Sequence, residues 1–391
     1  HFSPLPLARS PREIPLPAER HTSLERQELG RALRAGLAPI ATPSRVEASL
    51  RALEREGTFA VVTGQQPGLL ASPLYTLYKA LQACKLAHAL SLQWGRPVVP
   101  LFWNHGDDHD VAEVHHAYLV NRNLDLQKVA LASLSSGRVP IGRILLEEER
   151  HRLGAIRSAL AQMVEEHEYV VEALELFMPR AGESLARALT RALCALCGEH
   201  GLVVIEPEWV RGALSHALVR TIALDPRDAL ESSARALALS GFEVPIAPAA
   251  AALVFHVDDE GRRPLRAGGD GCRYDDESGA RTAAELAAEI QDSPERWSAG
   301  ALLRPIVQDL ALPSAAYIGG FGELAYHAEL GELRARLTLP RLPFVARISC
   351  TLVDPEARAA LEKRGLDVRA VRERRGALTP AGTELELPVA I

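Results

Sequence analysis

The stretch "VVTGQQPGLLASPLYTLYKA", residues 61–80, changes character three times. An apolar β-branched run meets Thr-Gly-Gln-Gln-Pro-Gly, and helix-like sequence opens at Ser72-Pro73. β-branched residues favour a strand, and Gly and Pro punctuate its end. "TFAVVTG" (58–64) therefore reads as a buried strand, Pro73 to Leu92 as a helix closed at Trp94-Gly95, and "PVVPLFW" (97–103) as a second strand. A strand, a crossover helix and a strand make a βαβ unit, which implies a parallel sheet. Ligands of such sheets lie beyond the carboxyl ends of the strands. Both "TGQQPG" and "NHGDDHD" (104–110) fall there.

Upstream, residues 1–19 are proline-rich and irregular, and the 3.6 period from Ser23 to Glu56 reads as two helices broken near Pro39 to Pro43. Downstream, 148–199 reads as a long helical segment interrupted at Met178-Pro179, and "GLVVIEP" (201–207) as a strand followed by a helix through Ala223. "AALVFHVDDEGRRPLRAGG" (251–269) alternates around Asp259-Glu260-Gly261 as a β-hairpin. "SAAYIGG" (314–320) is a strand running into the helix "GELAYHAELGELRARL", and "PFVARIS" (343–349) is a further strand. The expected class is α/β, a Rossmann-like parallel sheet with helical and hairpin insertions. The expected divisions are 1–57, an N-terminal arm and helices; 58–120, the first half of the core; 121–200, a connecting, largely helical insertion; 201–350, the second half with its hairpin insertion; and 351–391, a short helical tail.

Composition narrows the function. A chain of 391 residues with 47% hydrophobic content can bury a substantial core. A net charge of −6 gives no basic field to draw in nucleic acid or an anionic membrane surface. No apolar run reaches membrane-spanning length and the start lacks signal-peptide zones, so the expected compartment is the cytoplasm. His1 in place of methionine suggests a trimmed or tagged start. Five scattered cysteines do not make a disulfide framework, and Cys194 and Cys197 read as small core residues. Lysine occurs only at Lys79, Lys85, Lys128 and Lys363, which makes Lys79 stand out.

Three stretches carry chemistry. Ser72, Tyr75, Lys79 and Gln82 share one helical stripe, either a solvated face or a ligand wall, and Gln65 and Gln66 are either hydrogen-bonding groups for a polar substrate or ordinary turn residues. In "FWNHGDDHDVAEVHH", Asp107, Asp108 and Asp110 flank His109, and nearby negative charge raises the proton affinity of an imidazole. That suits a general base. His105-x-Asp107-Asp108 also has the H-x-D-D spacing of zinc-dependent amide deacetylases, which need a further, distant histidine. In "LRPIVQDLALPSAAYIGGFGELAYHAEL" (303–330), Gly319, Gly320 and Gly322 permit close backbone approach, and Glu323 lies in a first helical turn. Arg304, Gln308 and Asp309 bind a carboxylate-bearing substrate or pair with one another.

Together, "TGQQPGLLASPLYTLYKA", "PVVPLFWNHGDDHDVAEVHH" and "LLRPIVQDLALPSAAYIGGFGELAYHAEL" resemble the bacillithiol-synthesis cysteine-adding enzyme family, the cysteine ligases, in a consistent order from about Phe59 to about Arg364. The resemblance implies a core of the nucleotidyltransferase-superfamily type with connecting insertions and a helical coiled coil. Its implied task is joining cysteine to the amino group of glucosaminyl malate, the last step to bacillithiol, with no nucleic-acid or membrane partner. By fold analogy ATP would activate the cysteine carboxyl as an adenylate, although a counterpart of the lysine-rich second ATP signature is missing; no tightly bound metal is expected. Asp108, His109 and Asp110 would be catalytic. Thr63, Gly64, Gln65, Gln66, Ser72, Tyr75 and Lys79 would form one wall, with Trp103, Asn104 and Asp107 beside the acids. Arg304, Gln308, Asp309, Gly319, Gly320, Glu323 and Tyr326 would close the far end, Glu323 holding the α-ammonium of cysteine.

Two departures from the family pattern stand out. "PAAAALVF" (248–255) is blander than the polar segment expected there, which argues against a substrate role. The tail "KRGLDVRAVRERRGALTPAGTELELPVAI" stands where longer members carry the coiled coil that their homodimer is expected to use, so a monomer or weak dimer is expected. A catalytically silent sugar- or nucleotide-binding protein on the same fold is the third reading, beside ligase and zinc hydrolase.

Overall fold

The computed structural model describes residues 7–121, 125–131, 137–147, 149–163, 169–267, 273–276 and 279–373. Helices α1 (Ser23–Leu37) and α2 (Ser44–Leu53) precede β1 (Phe59–Gln65), and α3 (Tyr75–Trp94) and β2 (Val98–Asn104) follow it. Next come α4 (Val111–Val114), β3 (His116–Val120), β4 (Leu126–Ala130), α5 (Arg150–Met163), α6 (Val170–Phe177), α7 (Leu185–Cys197) and β5 (Val203–Ile205). After α8 (Pro207–Ile222) and α9 (Pro226–Leu239) the chain forms β6 (Val254–Asp258), β7 (Gly261–Ala267), β8 (Arg273–Asp276), β9 (Gly279–Thr282), α10 (Ala283–Asp292) and β10 (Trp297–Ala299). It closes through α11 (Arg304–Ala311), β11 (Ser314–Gly319), α12 (Phe321–Ala328), α13 (Gly331–Arg336), β12 (Phe344–Ala346), α14 (Pro355–Lys363) and α15 (Val368–Glu373).

The main sheet has the order β12-β11-β1-β2-β5, and every neighbouring pair is parallel. Strand β1 is buried along all but its last residue, as a central strand covered on both faces must be. Its side chains alternate between two cores. Ala60 and Val62 join the larger cluster with Leu101 and Leu193, while Val61 joins Ala83, Leu90 and Ile318 on the opposite face. Helix α3 ends on Gly95 at φ 60°, the left-handed cap that glycine supplies without strain. Capping boxes at Thr22/Glu25 and Thr282/Glu285 start α1 and α10. Among the described residues no helix is long and apolar enough to cross a membrane.

From β1 the chain steps outward to β2 and β5, then returns to the other side of β1 for β11 and β12. The strand order reverses between β1 and β11, so a crevice opens beyond their carboxyl ends.

Several expectations need correction. Helix α3 begins at Tyr75, not Pro73, because Leu69–Ala71 forms a separate short turn in which Leu70 and Ala71 take left-handed φ values of 58° and 56°. Ser72 therefore lies outside the helix. The expected hairpin forms as β6 and β7, which are part of a five-stranded antiparallel sheet, β10-β6-β7-β8-β9. Among the described residues of 148–199 the helical segment is divided into α5, α6 and α7, the last of which packs Leu189, Leu193 and Cys194 into the main core. Residues 374–391 of the tail lie outside the described residues.

Candidate active site

A cleft of about 700 Å³ lies over the carboxyl ends of the parallel strands and runs under the antiparallel sheet. The turns after β1, β2 and β11 all reach it.

At the β1/β11 crevice, Lys79 projects from α3 with 1% of its surface exposed. Its Nζ donates to Gly64 O (2.8 Å), Gln65 Oε1 (3.0 Å) and Glu323 Oε2 (2.6 Å). Glu323 also accepts from the Tyr317 hydroxyl (2.8 Å) and the Gly320 N–H (2.7 Å). Burial lowers the Lys79 pKa and the Glu323 charge opposes that shift. For Lys79 neither the solvated face nor the ligand wall holds, because it is a buried strut, whereas Tyr75 of the same stripe lines the cleft. The Glu323 oxygens are likewise engaged by protein, so this side chain is not free to grip an ammonium. Arg304 donates to the Tyr326 hydroxyl (3.0 Å) and Gln308 Oε1 (3.3 Å), and the Arg347 guanidinium stacks 4.2 Å from the Tyr75 ring centre.

The β2 turn forms another wall. Gly64 sits where an added Cβ would meet Trp103 O at 2.6 Å and His105 Nε2 at 2.7 Å, so only glycine lets these strand ends close together. His105 is held well below the usual histidine pKa by burial, with Arg304 and Lys79 adding to the shift, and is a neutral imidazole. Asp108 Oδ1 accepts from the His109 N–H (2.7 Å) and the Asp110 N–H (3.2 Å), and Oδ2 accepts from Gln66 Nε2 (2.6 Å). Asp107 pairs with Arg211. His109 Nδ1 is buried with no hydrogen-bond partner, and its ring lies 6.2 Å from that of Phe255. Such an orphan polar atom is the kind of group a ligand satisfies.

Of the residues read from sequence, the cleft gathers Gly64, Gln65, Gln66, Tyr75, Trp103 and His105. It also gathers Asp107, Asp108, His109, Arg304, Gly320, Glu323 and Tyr326. Others lie elsewhere for identifiable reasons. Thr63 Oγ1 is spent on Ile318 O (2.8 Å), tying β1 to β11. The Ser72 hydroxyl donates to His116 O (3.2 Å). Asn104 Nδ2 donates to Ala186 O and Thr190 Oγ1, anchoring α7. Gln308 and Asp309 are buried, and Asp309 pairs with Arg334. Gly319 makes room for protein, since an added Cβ would meet Phe344 Cζ at 2.6 Å. Asp110 is exposed and caps α4 through Ala112 N–H (3.2 Å). As for the hydrolase alternative, no three His, Cys, Asp or Glu side chains converge as a metal-ligand set among the described residues, so His105-x-Asp107-Asp108 acquires no further ligand.

Sequence reasoning missed Arg211, Arg262, Arg347, Phe255 and Trp297, which line the cleft with Ala251 and Ala252. The "PAAAALVF" segment thus forms part of the wall, contrary to its bland composition. Only Arg347 had a usable signal, its place just beyond the end of a parallel strand. Four arginines line the cleft against three carboxylates. Arg262 bonds to Ser298 Oγ (3.0 Å) and Ala299 O (2.9 Å) and Arg304 to Tyr326 and Gln308, so both guanidiniums rest on neutral groups. Those guanidiniums are suited to an anionic group in the cleft.

A parallel sheet wound on both faces, with its cleft at the switch in strand order, defines a Rossmann-like α/β domain. The family model "Bacillithiol biosynthesis BshC, N-terminal Rossmann-like domain" matches residues 11–347, and the chain belongs to the BshC family. It is 31% identical to "Putative cysteine ligase BshC" of Koribacter versatilis over 85% of this chain and 62% of that protein. It is 34% identical to the protein of the same name from Thermus thermophilus, over 82% of this chain and 63% of that protein. For the Solibacter usitatus protein, also of that name, identity is 33%, over 82% and 60%. The chain thus spans about three fifths of the length of the curated relatives it matches.

Proposed function

We propose that the cleft joins cysteine to the amino group of glucosaminyl malate, the last step to bacillithiol. The observation that carries this reading is His109, a ring with a buried, unpartnered nitrogen held at the mouth of a parallel strand in a chain of the BshC family. The amine nitrogen attacks the activated carboxyl carbon of cysteine. The C–N bond forms, the bond from that carbon to its leaving oxygen breaks, and the amine proton passes to His109. Asp108 does not take that proton; its carboxylate, bonded by Gln66 and two backbone N–H groups, holds the turn that aims the ring. The neutral His105 and the tyrosine hydroxyl of Tyr326, kept protonated by burial, orient polar groups beside it. A nucleotide of the ATP class would supply the carboxyl activation, and Arg262, Arg304 and Arg347 are the residues suited to its phosphates.

Mass spectrometry of the thiol pool in cells with and without the gene tests the reading. Loss of bacillithiol with accumulation of glucosaminyl malate is expected on deletion. An unchanged bacillithiol pool contradicts it.

A further inference from the structure

His109 stands on a turn whose backbone is held by the connecting insertion. In the short helical turn Ile141–Arg143, the Ile141 N–H donates to Asp108 O (2.7 Å) and the Gly142 N–H donates to Gly106 O (2.8 Å). Both carbonyls lie just before the proposed proton acceptor. Just beyond it the grip is apolar, because Ile141 packs with Val111, Val114 and Leu185 in the insertion's own core. Glycine is needed at this contact for closeness and not for backbone shape. Neither Gly106 nor Gly142 has a positive φ. Yet a Cβ on Gly142 would stand 3.2 Å from Gly106 O, and one on Gly106 would stand 3.1 Å from Ala186 Cβ and 3.4 Å from Gly142 Cα.

The other end of the same segment reaches the antiparallel sheet. Strand β8 pairs with Arg266 and Ala267 of β7, and nearer the start of β7 the Arg262 N–H donates to Arg138 O (2.7 Å). Beside it Gly261, at φ 128°, lies so close that an added Cβ would meet Arg138 O at 2.6 Å. Arg143 Nη1 donates to Asp258 O (3.2 Å) on β6. The Arg262 guanidinium lies 3.7 Å from the Phe255 ring centre, and that ring lies 6.2 Å from the His109 ring. The contacts therefore close a loop from His109 through its turn, residues 138–143, Arg262 and Phe255 back to His109.

We propose that residues 138–143 are a strap that sets where the His109 ring stands against the Phe255–Arg262 wall, and that Gly106 and Gly142 are positioning residues for the reaction. The inference rests on the cysteine-adding reading, which makes His109 the proton acceptor. An insertion docked on one wall alone would leave the gap across the cleft free to vary, whereas one short segment bonded to both walls fixes it. A misplacement of about 1 Å can cost ~10²-fold in rate. A side chain on Gly142 at 3.2 Å from Gly106 O forces a shift of a few tenths of an ångström, so a loss near ten-fold follows.

Two readouts on the full chain test the strap. In an extract of the deletion strain supplied with cysteine, glucosaminyl malate and ATP, thiol mass spectrometry follows bacillithiol made by added purified protein. Gly142→Ala and Gly106→Ala are each expected to lower the rate at saturating substrate by about ten-fold, with half-saturating concentrations within about two-fold and melting temperature within about 3 °C of wild type. Gly154→Ala is the control, because Gly154 lies on α5 of the same insertion and an added Cβ there meets nothing within 4 Å. It is expected to match wild type. Nuclear magnetic resonance of the imidazole nitrogens gives the second readout, the His109 signal being assigned by its loss in His109→Ala. That signal is expected to shift in Gly142→Ala and to stay in place in Gly154→Ala. A His109 signal unmoved by Gly142→Ala, an equal loss of rate in Gly154→Ala, or unfolding of both Gly142→Ala and Gly106→Ala overturns the positioning role. The expected shift in a protein that makes no bacillithiol even as wild type upholds the strap and overturns the cysteine-adding reading.

Discussion

The two polar walls of the cleft differ in how their groups are used. At the β1/β11 crevice Lys79, Glu323, Tyr317 and the Gly320 N–H satisfy one another, and Lys79 is almost wholly buried. At the β2 turn Asp108 is equally engaged, yet His109 next to it keeps a buried ring nitrogen unbonded. The first wall is a strut whose removal costs stability. On the proposed function the second holds the proton acceptor, whose removal is expected to cost chemistry and not stability. A buried ion pair broken at one partner leaves an uncompensated charge, whereas an imidazole without a partner has no protein hydrogen bond at that atom to lose.

The largest expected effect follows from the strut. Lys79→Met strands the Glu323 carboxylate and is expected to cost about 3–5 kcal/mol in chemical denaturation. The double variant Lys79→Met with Glu323→Gln is expected to recover much of that loss. His109→Ala is expected to change stability by no more than about 1 kcal/mol. Equal losses for Lys79→Met and His109→Ala would erase the distinction between the walls.

Acid probes three histidine rings, of which His105 lines the cleft. Burial lowers the pKa of His21 to about 4, and those of His105 and His327 well below the usual value, so all three are neutral in the folded protein. Unfolded histidines titrate near ~6.5. Between that value and the folded pKa the unfolded chain binds more protons, so stability is complete above the window and falls as pH drops through it. Thermal melts from pH 7.5 to 4.5 are expected to show that decline, and His105→Gln to reduce its slope. A flat profile would mean that these rings are solvated.

The smallest effect is expected at Asp110, which sequence places among the catalytic acids and the structure places on the surface as the cap of a four-residue helix. Asp110→Ala is expected to cost about 1 kcal/mol or less and to leave bacillithiol formation intact. Severe loss of product with normal folding would return Asp110 to the reacting groups.

What sequence could show follows from the range of the interactions. Strands β1 and β11 were legible because a doubly covered strand is a continuous apolar run, and the cleft position followed from strand-to-helix order alone. Ser72 was misplaced because the preceding turn puts Leu70 and Ala71 at positive φ without a glycine to mark it. Lys79 looked like a surface or ligand-facing cation because its partner Glu323 is 244 residues away. Asn104 and Asp309 are polar residues whose partners, on α7 and α13, no local pattern announces, whereas Gln308 pairs locally with Arg304 and Asp309. Arg211 and Arg262 enter the cleft from a helix and from the antiparallel sheet, elements whose placement over the parallel sheet is a tertiary fact.

The central claim is that His109 takes the amine proton in this cleft, and product formation by His109→Ala tests it most directly. A proton acceptor in the transition state typically contributes ~10²- to 10⁴-fold in rate. In a deletion strain carrying His109→Ala at wild-type protein level, thiol mass spectrometry is expected to find bacillithiol reduced to trace and glucosaminyl malate accumulated, as in the empty deletion strain. A wild-type bacillithiol pool in that strain would contradict the claim and move the chemistry out of the β2 turn.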